Sequence, residues 1–313
     1  MRTERTKTDY LALLGKGMMM GAADAVPGVS GGTIAFMTGI YEELIYSLKQ
    51  CGPQALSILF KQGAAAAWQH INGAFLLTLL GGILFSLLTV AHIVLFWLDT
   101  YPELLWSFFL GLIVATIWSI MGHIKRWDPA VIFAFLLGTL AAYLITSISP
   151  TSIEATPLYI FISGMIAICA MILPGISGSF ILLLLGMYSS ILLALKEFQL
   201  VTLATFAAGC VVGLLSFSRL LNWMFAHHKT LTLSLLGGFM LGSLNKVWPW
   251  KVTLESIVDR HGKLVPLIQE NILPSTFETL TGQPAYLGYS VLLMLAGVTL
   301  VVMMEKLGSK PQD

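Results

Sequence analysis

PGVSGGT at Pro27–Thr33 and PGISGSF at Pro174–Phe180 lie near the centres of two apolar segments, 11–48 and 158–195. Proline removes an amide donor and collides with the preceding turn, and clustered glycines lower helix propensity, so neither segment is expected to run as one unbroken helix. The breaks belong to an internal repeat. At an offset of 147 positions, GMMMGAADAVPGVSGGTIAFMTGIYEELIYSLK (17–49) aligns with GMIAICAMILPGISGSFILLLLGMYSSILLALK (164–196). Identities include Gly17/Gly164, Pro27/Pro174, Gly28/Gly175, Ser30/Ser177, Gly31/Gly178, Gly39/Gly186 and Tyr41/Tyr188. Weaker echoes follow in the same order: Phe108 to Gly111 matches Phe239 to Gly242, and Gly82 matches Gly209.

Around these breaks the chain is strongly apolar. Hydrophobic residues make up 57% and charged residues 11% of 313 positions, against roughly 45–50% and about 25% in soluble domains. An all-α integral membrane protein is the expected class. Lys and Arg number 17 against 16 Asp and Glu, a net charge of +1, which leaves no footprint for nucleic acid. Cys51, Cys169 and Cys210 give neither a disulfide framework nor a metal-ligand set. Lys16 interrupts the first apolar stretch, so a cleaved signal is not expected and the chain is read as mature from Met1.

Six stretches suit a hydrocarbon core that takes roughly 20 helical residues to cross: 73–98, 104–122, 130–148, 200–225, 230–248 and 285–305. The expected organisation is two repeats, 1–150 and 151–313, each a re-entrant broken-helix hairpin followed by three transmembrane helices. The stretch 249–284 is expected to be an outer loop. If each broken segment returns to its starting side, Arg2, Arg5, Lys7, Lys16, Lys49, Lys61, Lys125, Arg126, Lys229, Lys306 and Lys310 share the cytoplasmic face. The short loops 99–103 and 149–157 then carry no Lys or Arg, as the positive-inside rule requires. Both termini are thus expected in the cytoplasm. Three crossings per half is odd, so the second repeat is inverted, an architecture of secondary transporters with sites at the midplane.

Each break starts a half-helix whose first amides lack intrahelical partners, and an anion satisfies them. Ser30, Gly31, Gly32 and Thr33 on one side, and Ser177, Gly178 and Ser179 on the other, are the candidate phosphate ligands. Pro27, Gly28, Pro174 and Gly175 are the structural breaks. The alternative is two kinked helices whose small residues permit tight packing. Arg219 is a further phosphate candidate, with snorkelling to the interface as its alternative. Asp24 beside an anion suggests ion coupling, or else a structural carboxyl bonded to backbone; Glu42 is a second coupling candidate, against a solvated helix end. His92, at Arg219's equivalent position, and Trp248 and Trp250 read as interfacial residues. No catalytic constellation, metal ligand set or cofactor motif is visible.

ADAVPGVSGGTIAFMTGIYEELI, with LPGISGSFILLLLGMY and GFMLGSLNKVWPW at 238–250, resembles the bacterial polyprenyl-phosphate transporter family called PopT, over essentially the whole chain. The resemblance implies a flippase that returns undecaprenyl phosphate, the lipid carrier of cell-wall and peptidoglycan synthesis, from the outer to the inner leaflet of the bacterial inner membrane. Its partners would be that lipid substrate and the surrounding membrane lipids, with a homo-oligomer compatible. A membrane enzyme acting on polyprenyl (pyro)phosphate, or a transporter of another small anion, is the competing expectation.

Overall fold

A computed structural model describes residues 5–26, 29–148, 155–258 and 264–308. Arg2, Pro27, Gly28, the segment 149–154 and Lys310 fall outside them. The first repeat begins with α1 (Lys7–Asp24), α2 (Gly31–Met37) and α3 (Tyr41–Gln50). Thr6 and Asp9 close a capping box on α1, satisfying two orphan donors reciprocally. After α4 (Pro53–Gln62) and α5 (Ala64–His70) come α6 (Gly73–Leu88), α7 (Val90–Thr100), α8 (Pro102–His123) and α9 (Pro129–Ser147). The second repeat reads α10 (Pro157–Ile172), α11 (Gly178–Leu184), α12 (Tyr188–Lys196), α13 (Leu200–His227) and α14 (Lys229–Gly242). A 3-10 turn (Ser243–Val247), strands β1 (Lys251–Val258) and β2 (Leu264–Asn271), α15 (Pro274–Thr281) and α16 (Leu287–Gly308) complete it.

The protein is an all-α membrane fold. Among the described residues four helices, α8, α9, α13 and α16, are long and apolar enough to cross as single spans, and they match four of the six expected stretches. The other two differ. The 73–98 stretch divides at Thr89, whose hydroxyl donates to the Phe85 carbonyl at 2.6 Å, a back-bond that bends helices. The 230–248 stretch leaves α-helix at Gly242 and tightens into the 3-10 turn, where Ser243 donates to the Met240 carbonyl at 2.9 Å. The expected loop 249–284 contains an antiparallel hairpin, with Lys251 opposite Asn271, and a short helix. Trp248 and Trp250 anchor that hairpin rather than a lipid interface: their indole N–H groups donate to the Ile272 and Ala285 carbonyls, and Trp250 is buried.

Packing repeats along with sequence. α1 lies on α6 as α10 lies on α13, and α8 pairs with α16 as α14 pairs with α9. In the last two crossings each half supplies one partner, so the halves interlock. Repeat-equivalent glycines sit at the first two crossings, α1 with α6 and α10 with α13. A Cβ at Gly17 or Gly82 would strike the backbone of the other's helix, and one at Gly164 or Gly209 would do the same between α10 and α13. Without a hydrophobic drive between helices in lipid, such close backbone approach supplies the contact energy. α8 is the central helix, with Trp106, Phe109, Leu112, Ile113 and Thr116 among its buried residues, whereas α13 turns most of its surface outward.

Both broken segments turn identically after their half-helix. Gly39 (φ 71°) and Gly186 (φ 68°) take the left-handed conformation that glycine adopts without penalty. Ile40 N–H then bonds the Ala35 carbonyl and Met187 N–H the Leu182 carbonyl, the six-to-one bond that seals a helix C-terminus. The second turn bends α11 from α12 by 108°.

Candidate functional site

Where Pro174 stops α10, the carbonyls of Met171, Ile172 and Leu173 lose their helical donors. Hydroxyls from the first repeat replace them. Ser30 Oγ lies 3.1 Å from the Met171 carbonyl and 3.3 Å from that of Leu173, and buried Tyr41 donates to the Ile172 carbonyl at 3.1 Å. In return Gly175 N–H donates to Thr33 Oγ1 at 2.9 Å. The two breaks thus meet and are stitched together. Glycine is required at Gly32, where a Cβ would lie 2.7 Å from the Ile172 carbonyl oxygen.

The two half-helices differ in how their first amides are satisfied. At α2, Gly31 N–H donates to Asp24 Oδ1 at 2.6 Å, Gly32 N–H to Ser30 Oγ at 3.1 Å and Thr33 N–H to the Ser30 carbonyl at 2.9 Å. Asp24 therefore takes the place at which the sequence led us to expect a bound anion, and is bonded to backbone. Ser30 and Thr33 are fully enclosed. At α11 no side chain caps the helix: Ser177 and Ser179 share a 2.7 Å hydroxyl contact instead. Among the described residues, no hydrogen-bond acceptor meets the Gly178 and Ser179 amides. The residue equivalent to Asp24 in the repeat is Met171, which carries no charge. That substitution was the sequence signal for the asymmetry.

The remaining candidates stand elsewhere. Arg219 is exposed on α13, its guanidinium against the backbone of Gly52 rather than at a break, and His92 is exposed on α7. Glu42 forms a 2.7 Å ion pair with Lys229, both about half exposed. That pair borders a cavity of about 1400 Å³ between α1, the α2–α3 turn, α8, α14 and α16. Its wall is mixed: Met18, Met19, Phe36 and Leu233 are apolar, while Lys16 reaches in and donates to the Thr38 carbonyl at 2.8 Å. A second cavity of about 260 Å³ adjoins α11 at Phe180 and is lined by Lys246 and Lys251. The sequence reading missed these two lysines.

Compared with known proteins, the chain is 49% identical over 302 residues to a polyprenyl-phosphate transporter of Vibrio cholerae serotype O1, covering 96% of this chain and 98% of that one. It is 31% identical over 252 residues to a polyprenyl-phosphate transporter of Staphylococcus aureus, covering 75% and 84% respectively. No solved structure matches it significantly. A family model spans residues 20–265, both breaks included, and the chain belongs to the VCA0040-like family, described as undecaprenyl phosphate translocase-like.

Proposed function

We propose that this protein is a transporter, not an enzyme, and that it carries polyprenyl phosphate of the undecaprenyl class from the outer to the inner leaflet of the bacterial cytoplasmic membrane. The observation that carries the reading is the junction of the two breaks, where one half-helix is closed by the protein's own carboxylate and the first amides of the other, among the described residues, meet no acceptor. Family membership and the names of the relatives support the substrate class. A phosphate head group at Ser177, Gly178 and Ser179 would supply the acceptor that Asp24 supplies at Gly31, at the positive end of the helix dipole. Ser30, Gly31, Gly32 and Thr33 then act by building the junction, and Gly31 N–H becomes available to substrate only if Asp24 withdraws. That exchange is the proposed route to ion coupling, because a carboxylate leaving its donor at membrane depth takes up a proton or a cation. The isoprenoid tail stays in lipid.

The Lys and Arg distribution supports the sidedness: both termini cytoplasmic, the repeats inverted, and the β1–β2 hairpin outside. Reconstituted liposomes test the activity. The protein should speed transfer of undecaprenyl phosphate between leaflets while the lipid is recovered chemically intact. Release of phosphate above background, abolished by a substitution at either break, would favour a hydrolase instead.

A further inference from the structure

Two lysines lie together beside the second break and, among the described residues, have no counter-ion. Lys246, in the 3-10 turn after α14, holds its ammonium 4.4 Å above the Phe180 ring, and Phe180 is the third residue of α11. Lys251, at the start of β1, holds its ammonium 4.1 Å above the ring of Trp106 on α8 and donates to the Lys246 carbonyl. Among the described residues, neither ammonium pairs with a carboxylate. Burial, with the charge of Lys246 next to it, holds the Lys251 ammonium well below the ordinary lysine range, as befits a cation lacking its anion. Aromatic faces alone stabilise such charges by little compared with a paired anion.

The surroundings are polar and fixed. The hairpin is tied down by Ile272 N–H to the Trp250 carbonyl at 3.0 Å and by Asn271, which donates to the Asn245 carbonyl at 2.6 Å. Asn245 donates to Ser147 at the end of α9, while its own Oδ1 is buried without a partner. Glu270 lines the same cavity, is exposed, and pairs with neither lysine. The volume, about 260 Å³, admits a phosphate head group but not a polyprenyl chain.

We infer that Lys246 and Lys251 form a receiving site for a phosphomonoester anion at the hairpin side of the second break, where a head group is held before it passes Phe180 to α11. The lipid ligand and the outer location rest on the function and sidedness proposed above; the phosphate chemistry rests on the lysines alone. An anion between them favours the charged form of both lysines, which burial and each other's charge disfavour while the site is empty.

The test uses the full-length protein in nanodiscs with two probes, inorganic phosphate and undecaprenyl phosphate. Amine acetylation of the wild type, read lysine by lysine by mass spectrometry, should slow at Lys246 and Lys251 when either probe is added and stay unchanged at Lys61. Lys246→Gln and Lys251→Gln should each weaken binding of both probes by roughly tenfold or more, and Glu270→Gln should tighten it. If Lys251→Gln does not fold, wild-type protection decides. Lipid phosphate bound with unchanged affinity by both lysine variants, and no protection in the wild type, would overturn the receiving site and leave the transport reading standing. Inorganic phosphate bound through the lysines by a protein that ignores the polyprenyl lipid would uphold the site and remove the transport reading. Protection by neither probe would overturn the site.

Discussion

Asp24 and Met171 occupy equivalent positions of the repeat, and only Asp24 places a charge at a half-helix. Asp24→Asn keeps an oxygen for the Gly31 amide, so the fold should persist, while transport should lose its dependence on a pH or sodium gradient. Unchanged gradient dependence, measured in liposomes, would exclude Asp24 as the coupling residue. The two N-cap serines separate in the same way. Ser30 caps Gly32 and donates to carbonyls at the end of α10, so Ser30→Ala should cost about 1–2 kcal/mol of stability, read as a lower melting temperature. Ser177 caps nothing. Ser177→Ala should leave melting nearly unchanged and weaken lipid-phosphate binding by roughly tenfold, the worth of one hydrogen bond to a charged acceptor. Equal melting losses in both variants would make the second break structural as well.

At the scale of elements, the helix crossings depend on glycine at particular positions. Gly82→Leu and Gly209→Leu should each force α1 from α6 or α10 from α13, lowering stability by roughly 1–3 kcal/mol. Gly81 is one position away and has open space where a Cβ would go, so Gly81→Ala should be tolerated. Thermal unfolding in detergent checks the contrast. These crossings were legible in the sequence because both copies keep the same small residues at Gly17/Gly164 and Gly82/Gly209. The breaks were legible for a similar reason, since proline and glycine act on their own backbone. Arg219 was not, because its long side chain can reach several surroundings and only tertiary packing chose the backbone of Gly52. Lys246 and Lys251 flank two tryptophans in a stretch that reads as interfacial. Nothing local announces the hairpin that folds Lys251 back over Trp106.

Across the whole molecule, interlocked halves and an asymmetric junction suit a carrier with one site reached from two sides. The proposed sidedness has its own check. In a variant with Cys51 replaced by Ser, a cysteine introduced at Ala55 should react with an impermeant reagent only after cells are permeabilised. Labelling from intact cells would reverse the arrangement of the first repeat. The most direct test of the account is a density map of the protein with undecaprenyl phosphate bound. The phosphorus should lie within hydrogen-bonding reach of the Gly178 and Ser179 amides and the Ser177 hydroxyl, with Asp24 still on Gly31 or visibly displaced from it. A head group resting against Lys16 and Lys229 in the large cavity, with α11 untouched, would contradict it.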